Sequence, residues 1–406
     1  LFAVPRRTEI SDWSGDMEDE DLIEREDMVV TITSGGYIKR TPLVEFRAQK
    51  RGGKGLSSMS TKEDDVVTTL FVANTHTQLL FFTTDGMVYK LKCWRLPLAG
   101  RNARGKAMVN ILPIVAGVSI AAILPVDVPD DEWDNLQIFF ATSDGDVRQN
   151  ALSDFTNVMR NGKIAMKLPE GVFLVNARIC DENDDIMLVT SGGRAIRFPT
   201  TEVRVFKSRG STGVRGIRLQ GGDTVVSMSV IRHFEATPDE RAAYLKMRRQ
   251  QEGVMDEPDT EDEEPVVAGD LSAERFAEMQ AFEDLILTIT QGGSGKLSSS
   301  HDYPVRGRGG QGVKAMAGRN GALVACFPVD RTDQVMLATS TGQSIRVPVE
   351  GISFRSRSAG GVKVFNTGKG EVVVSVARVA DQTEDEAEDA VIADAEIGGD
   401  TGGEAE

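Results

Sequence analysis

Six stretches of the chain set cations beside glycines: QKRGGKG (49–55), GRNARGK (100–106), RNGK (160–163), KSRGSTGVRGIR (207–218), VRGRGGQGVK (305–314) and RSRSAGGVK (355–363). Their cations include Lys50, Arg51 and Lys54; Arg101, Arg104 and Lys106; Arg160 and Lys163; Lys207, Arg209 and Arg215; Arg306, Arg308 and Lys314; and Arg355, Arg357 and Lys363. The chemistry that this mixture suits is phosphate binding. A guanidinium fork donates two parallel bonds to a phosphate. Glycine removes side-chain bulk, so that backbone N–H groups can approach the oxygens. Six such stretches suit a long polyanion, and duplex DNA is one whose neutralisation releases counterions. No helix carries the Asn, Gln and Arg set that reads base edges, and there is no zinc finger or basic zipper region. Aromatic residues make up 6% of the chain and sit in apolar runs. Duplex backbone contact is therefore favoured over stacking on single strands. The expected mode is sequence-tolerant binding with bending, in which only deformability discriminates.

Other constellations fail on their surroundings. GRNARGKA (100–107) has the spacing of a P-loop but ends in Ala107, where a magnesium-binding Ser or Thr is required, and VNILPI after it reads as strand. GRGGQG (307–312) fits G-x-G-x-x-G without a following helix or a βαβ unit. The four tyrosines (Tyr37, Tyr89, Tyr244 and Tyr303) lack a cluster of Arg, His and acids for phosphodiester chemistry. Cys93, Cys180 and Cys326 are odd in number and far apart, and His76, His233 and His301 are scattered, which argues against a disulfide framework or a metal site. The reading is of a chain with no catalytic site, cofactor or metal of its own.

The elements that would position the cations form a repeat. The phrase is an apolar run, Thr, two small or polar residues, Gly, and an alternating run: VVTITSGGYIKR (29–40), LLFFTTDGMVYK (79–90), IFFATSDGDVRQ (138–149), IMLVTSGGRAIR (186–197), LILTITQGGSGK (285–296) and VMLATSTGQSIR (335–346). The marker glycines, Gly36, Gly86, Gly145, Gly193, Gly293 and Gly342, are spaced 50, 59, 48, 100 and 49 residues apart. Each phrase reads as a β-hairpin whose Asp-Gly or Gly-Gly pair supplies the two positive φ angles of a two-residue turn. A later apolar run brings each unit to roughly four short strands, one blade of a propeller-like array. Six blades in a ring leave no open sheet edge; two separate β-sandwiches are the alternative. Each cation–glycine stretch is centred some 15–20 residues beyond its marker glycine, so a ring places all six at one radius, as a positive band round the rim.

The 100-residue gap is one period plus an insertion, 233–284. In it, Thr237, Pro238 and Glu240 spell a capped helix start, and Ser272 offers a second N-cap. A helical hairpin between blades 4 and 5 is expected, joined by the acidic and disordered stretch 256–265. Charge is divided between regions: the lead-in 1–27 carries −7, 233–284 carries −11 and the tail 381–406 carries −11, so the rest of a chain with net charge −16 carries +13. A basic body, 28–380, with acidic appendages follows. The tail is expected to be disordered and is a candidate competitor for the rim. No apolar run is long enough for a membrane helix. The start, LFAVPRRTEI, has neither Met nor a leader pattern and reads as a piece cut from a longer protein.

With the repeats and the first stretch in hand, the chain resembles the C-terminal domain of the DNA gyrase A subunit. Gln49, Lys50, Arg51, Gly52, Gly53, Lys54 and Gly55 match every position of the gyrase A box, Q-R/K-R-G-G-R/K-G, and the likeness covers roughly residues 4–380. The resemblance implies an all-β, six-bladed β-pinwheel that wraps double-stranded DNA round its rim in a positive sense. It implies partners: the N-terminal part of the gyrase A subunit, which would hold the break, the catalytic tyrosine and Mg, and the gyrase B subunit, which would bind ATP, in a heterotetramer of the bacterial cytoplasm and nucleoid. The insertion and the long acidic tail depart from the common pattern. The alternatives are the equivalent domain of the topoisomerase IV A subunit, which typically lacks an intact box, a protein-interaction propeller with acidic partners, and an NTPase using 100–106.

Overall fold

A computed structural model of the chain describes residues 19–33, 35–45, 67–100, 103–207, 210–254, 271–316, 321–341, 344–368 and 370–379. Each apolar phrase forms two antiparallel strands, and a third strand later in the repeat pairs with the first of them. In blade 1, Asp27–Thr33 lies between Tyr37–Pro42 and Val67–Asn74. The unit recurs with Gln78–Thr83, Met87–Lys92 and Ile120–Val126 in blade 2, and with Gln137–Thr142, Asp146–Ala151 and Leu174–Cys180 in blade 3. Blade 4 contains Asp184–Thr190, Arg194–Pro199 and Val225–Arg232, and blade 5 contains Leu285–Thr290, Ser294–Ser299 and Leu323–Val329. Gln334–Thr339, Ser344–Pro348 and Val373–Val379 make blade 6.

A fourth, two-residue strand reaches each of the first five blades from the repeat that follows. Lys106–Ala107 pairs with Tyr37 and Ile38 of blade 1, and Lys163–Ile164 pairs with Val88 and Met87 of blade 2. Val214–Arg215, Val313–Lys314 and Val362–Lys363 close blades 3, 4 and 5 in the same register. The sixth sheet has three strands among the described residues. Val373–Val379 lies against Val67–Asn74, so the last blade meets the first and the sheets form a propeller-like ring.

The core is divided among the faces between consecutive blades. Phe82, Phe140 and Phe155 meet edge to face at 5.4–5.9 Å between blades 2 and 3, all fully buried. Burial of each such ring is worth about 1.5–3 kcal/mol. Similar apolar clusters fill the spaces between blades 1 and 2, 3 and 4, 4 and 5, and 5 and 6.

The hairpin turns differ from the sequence expectation. Only the last glycine is left-handed, with φ of 74–89° at Gly36, Gly86, Gly145, Gly193 and Gly293, and among the described residues no non-glycine residue has positive φ. Gly86 N–H donates to Thr83 O at 2.9 Å, and Thr83 Oγ1 donates to Asp85 Oδ1 at 2.5 Å. This is a right-handed turn followed by one left-handed glycine. Asp85 and Asp144 keep ordinary backbone, so one positive φ per hairpin suffices, not two.

Two helices, α1 (Pro238–Gln251) and α2 (Ala273–Ala281), lie between the last strand of blade 4 and the first of blade 5. Thr237 and Glu240 cap α1 reciprocally: Glu240 N–H donates to Thr237 Oγ1 at 3.2 Å, and Thr237 N–H to Glu240 Oε2 at 2.8 Å. Ser272 caps α2. Tyr244 packs on Phe276 at 4.9 Å, and Arg275 pairs with Glu240 at 2.9 Å. The pair docks on blade 5 through His301, whose Nε2 lies 2.8 Å from Met279 O and whose ring sits 5.0 Å from that of Tyr244. Of the lead-in, residues 19–26 rest on blades 1 and 2, with Glu20 paired to Lys92 at 3.0 Å and Glu24 O accepting from Thr75 Oγ1 at 2.8 Å. Residues 1–18, the acidic stretch 256–265 and the tail 381–406 lie outside the described residues.

Candidate nucleic-acid interface

The cation–glycine stretches from the second to the sixth deliver the fourth strands. Each of these five runs into the dipeptide that closes the preceding blade, on the sheet edge opposite the ring's inner strands. They therefore occupy equivalent outer positions. The last three stretches also touch in order: Gly309 N–H donates to Gly216 O at 2.6 Å, Arg308 Nη1 to Arg215 O at 3.0 Å, and Arg357 Nη1 to Lys314 O at 2.7 Å.

Some of the glycines serve this closure. Gly105, Gly213 and Gly312 have positive φ, and a Cβ there would lie 2.3–2.5 Å from the carbonyl oxygens of Ile38, Val147 and Ala195. The close approach that they permit is to the neighbouring blade's backbone.

Lys106, Arg160, Lys207, Arg215, Arg306, Arg308, Lys314 and Lys363 are exposed. Arg104 is half-buried, its guanidinium 3.8 Å over the Tyr37 ring. Lys163 is half-buried and donates to Asp154 O at 2.7 Å and Asn157 O at 3.0 Å; Arg355 is also half-buried. Lys363 donates to Gly292 O at 2.9 Å while staying exposed. Gln49, Lys50, Arg51, Gly52, Gly53, Lys54 and Gly55, together with Arg101 and Arg209, lie outside the described residues.

Arg357 does not belong to the candidate surface. It is 1% exposed, its Nε stands 3.6 Å from Asp302, and its backbone N–H donates to the same carboxylate at 2.7 Å. A buried guanidinium needs a paired carboxylate, and with Lys314 O as a further acceptor Arg357 struts blade 5's loop against blade 4's. Burial pushes the Asp302 carboxyl up, against the opposing pull of Arg357.

Sequence reasoning misses the cations that hold the loops. Lys39, Arg148 and Lys296 occupy the third position of the second hairpin strand in blades 1, 3 and 5, and all are fully buried. Lys39 donates to Gly100 O at 3.1 Å, Arg148 to Ser211 O at 2.7 Å, and Lys296 to the carbonyls of Ser356, Arg357 and Ala359. Their signal is a cation at one fixed position in alternate repeats. Arg204, just before the fourth stretch, is also exposed and stacks 4.4 Å over Phe206, and Arg218 at the end of that stretch is exposed.

The near P-loop at 100–107 is no nucleotide cradle, since Lys106–Ala107 is a strand and Met108–Asn110 a single 3₁₀ turn. Burial pushes the thiols of Cys93, Cys180 and Cys326 up to about 11, 12 and 11. Among the described residues no three His, Cys, Asp or Glu side chains gather as a metal site, and no helix is long and apolar enough to cross a membrane.

Residues 27–74, 77–127, 137–181, 184–232, 284–330 and 333–380 each match the family described as DNA gyrase C-terminal domain, beta-propeller. The chain belongs to this family. The six matched segments are the six blades, and the gyrase-domain match breaks where α1 and α2 stand. The DNA gyrase A subunit of Granulibacter bethesdensis is 49% identical over 387 residues, covering 92% of this chain and 41% of that protein. The DNA gyrase A subunit of Rickettsia bellii is 44% identical over 393 residues, covering 96% and 43%. The chain spans less than half the length of these relatives. Among solved structures, the C-terminal domain of DNA topoisomerase IV superposes with a TM-score of 0.65 at 21% identity, over 92% of this chain and 99% of that one. The DNA gyrase A C-terminal domain gives 0.60 at 20% identity, over 87% and 100%. These two superpositions speak for the fold.

Proposed function

We propose that this gyrase-family domain binds duplex DNA without sequence preference and wraps it in a positive sense round its outer rim, as the C-terminal module of a DNA gyrase A subunit. The observation that carries the reading is the equivalent placing of the loops: successive blades present exposed cations at the same sheet edge, and the loops that close blades 3, 4 and 5 touch in order. A phosphate backbone following that edge meets Lys106, Arg160, Lys207 and Arg215, then Arg306, Arg308 and Lys314, and finally Arg355 and Lys363. The 49–55 box takes the remaining position in this proposal. In support, Ile345 and Arg346 on the second hairpin strand of blade 6 are exposed among the described residues, whereas their counterparts Ile38 and Lys39 in blade 1 are fully buried.

In the holoenzyme the domain would feed a wrapped segment to a double-strand break made by the N-terminal part of the gyrase A subunit, with ATP hydrolysed by the gyrase B subunit, giving negative supercoiling in the bacterial nucleoid. The intact box and the identity to gyrase A subunits favour gyrase over topoisomerase IV. Binding to long and short duplexes over a salt series tests the reading. Six to ten phosphate contacts cost about 10³–10⁵ in affinity between 50 and 200 mM salt, and a long duplex should be strongly preferred. Equal, salt-insensitive binding of both lengths would contradict it and favour a protein-interaction role.

A further inference from the structure

The insertion sits where the rim is open elsewhere. Residues Leu98, Val205, Val305 and Phe354 are equivalent: each forms a lone parallel bridge to the second hairpin strand of the preceding blade, with Arg40, Gln149, Arg197 and Leu297. Each also stands one to three residues before the first cation of its loop. Leu98, Val205 and Val305 are 60, 42 and 39% exposed, whereas Phe354 is 4% exposed. What covers it is α1, whose Arg248 guanidinium lies 5.1 Å over the Phe354 ring. The residues after α1, Glu252, Gly253 and Val254, share a concavity with Gly351–Arg355, and Glu252 pairs with Arg331. A duplex tracking the rim across blade 5 would therefore meet α1 where it meets an aliphatic side chain on blades 1, 3 and 4.

The helix has a division of charge that fits such a meeting. Its buried face contains Ala243, Tyr244 and Arg248, and Arg248 is neutralised by Glu283 at 2.9 Å and Glu252 at 2.6 Å. Its two acids, Asp239 and Glu240, are in the first turn, where the helix dipole favours them. Lys246 and Arg249, three residues apart and so on one stripe, lie on the side away from Tyr244. Lys246 is exposed and has no acidic partner among the described residues; Arg249 is half-buried, and its Nε donates to Leu245 O at 3.2 Å. The Arg249 charge also acts on Asp302, the carboxylate that holds Arg357 in the rim loop of blade 5.

We propose that α1 is part of the DNA-facing surface, with Lys246 and Arg249 contacting phosphates where the helix overlies the loop of blade 5. The inference rests on the DNA-binding reading above and adds two named contacts to it. The opposing idea is that the insertion obstructs the rim. It draws on residues 255–270, which contain eight acids and no base and lie outside the described residues.

The test uses the full chain and its Lys246→Ala/Arg249→Ala variant, with circular dichroism to confirm unchanged helix content. Binding of a 150-base-pair duplex is followed by anisotropy from 50 to 200 mM KCl. Loss of two phosphate contacts should make the slope of log K against log salt shallower by about 1.8, with weaker binding throughout. An unchanged slope and affinity, or tighter binding, would overturn the proposal while the wild-type slope left DNA binding intact. A wild-type chain with no salt-dependent DNA binding would end both readings together. A Lys246→Glu/Arg249→Glu variant should weaken binding further; if it bound as the wild type does, the proposal would also fall.

Discussion

The Lys296 ammonium lies 2.8 Å from the Ser356 carbonyl oxygen across 60 residues of sequence, and it also donates to the carbonyls of Arg357 and Ala359. All three of its protons are taken, which is what permits the charge to be fully buried. A candidate DNA-contacting loop is thus hung on the blade behind it by one side chain. Lys296→Met keeps the volume and strands three carbonyls. It is expected to destabilise the chain by about 2–5 kcal/mol, read as a lower urea midpoint, with faster tryptic cleavage after Arg355. A midpoint equal to wild type would remove Lys296 from this role.

Two arginines that look alike in sequence should behave differently. Arg306→Ala removes an exposed cation and is expected to make the salt slope of DNA binding shallower by about 0.9, the share of one phosphate contact, with thermal stability nearly unchanged. Arg357→Ala leaves Asp302 without its buried partner. It should cost about 3–5 kcal/mol of stability and little of the slope. The reverse pattern would show that the rim has been misassigned.

Stability should depend on pH through the insertion. Burial is the main cause holding the His301 imidazole below its ordinary value; Arg197 lowers it further, while the Met279 carbonyl, Glu283 and Asp284 pull it up. A histidine depressed in the folded state gives stability that is present above its unfolded value near 6.5 and lost as pH falls below it. Melting temperature is expected to drop on acidification from pH 6.5, and His301→Gln should flatten that drop. Identical slopes in the two chains would exclude His301 as the cause.

The gyrase A box should matter more for wrapping than for binding, because the other loops keep their cations. Lys50→Ala/Arg51→Ala/Lys54→Ala is expected to retain most of the affinity for a long duplex while losing the change in DNA linking number. Equal loss of both would deny the box a special part.

The repeat, the marker glycines and the position of the cations in each unit are all legible in the sequence, because hairpin strands and left-handed glycines leave local signals. Closure is not. Nothing local says that Val313–Lys314 pairs with Arg194 and Ala195 of the preceding repeat, since a two-residue strand has no periodicity to read. The fates of similar cations are also hidden. Arg355 and Arg357 are two residues apart, yet the first is half-buried while the second is fully buried against Asp302, brought from 55 residues away. Lys39, Arg148 and Lys296 look like ordinary polar positions of a half-exposed strand until the neighbouring loop covers them. The turn type is not legible either, because an Asp-Gly pair serves two turn types, and only the backbone angle at Asp85 or Asp144 separates them.

Ligation of nicked circular DNA in the presence of the chain tests the central claim most directly. If duplex is wound round the rim as described, the sealed and deproteinised circles will move to positive linking-number changes that grow with the amount of protein. Circles that show no shift, or a negative one, under conditions where the chain is fully bound would contradict the account.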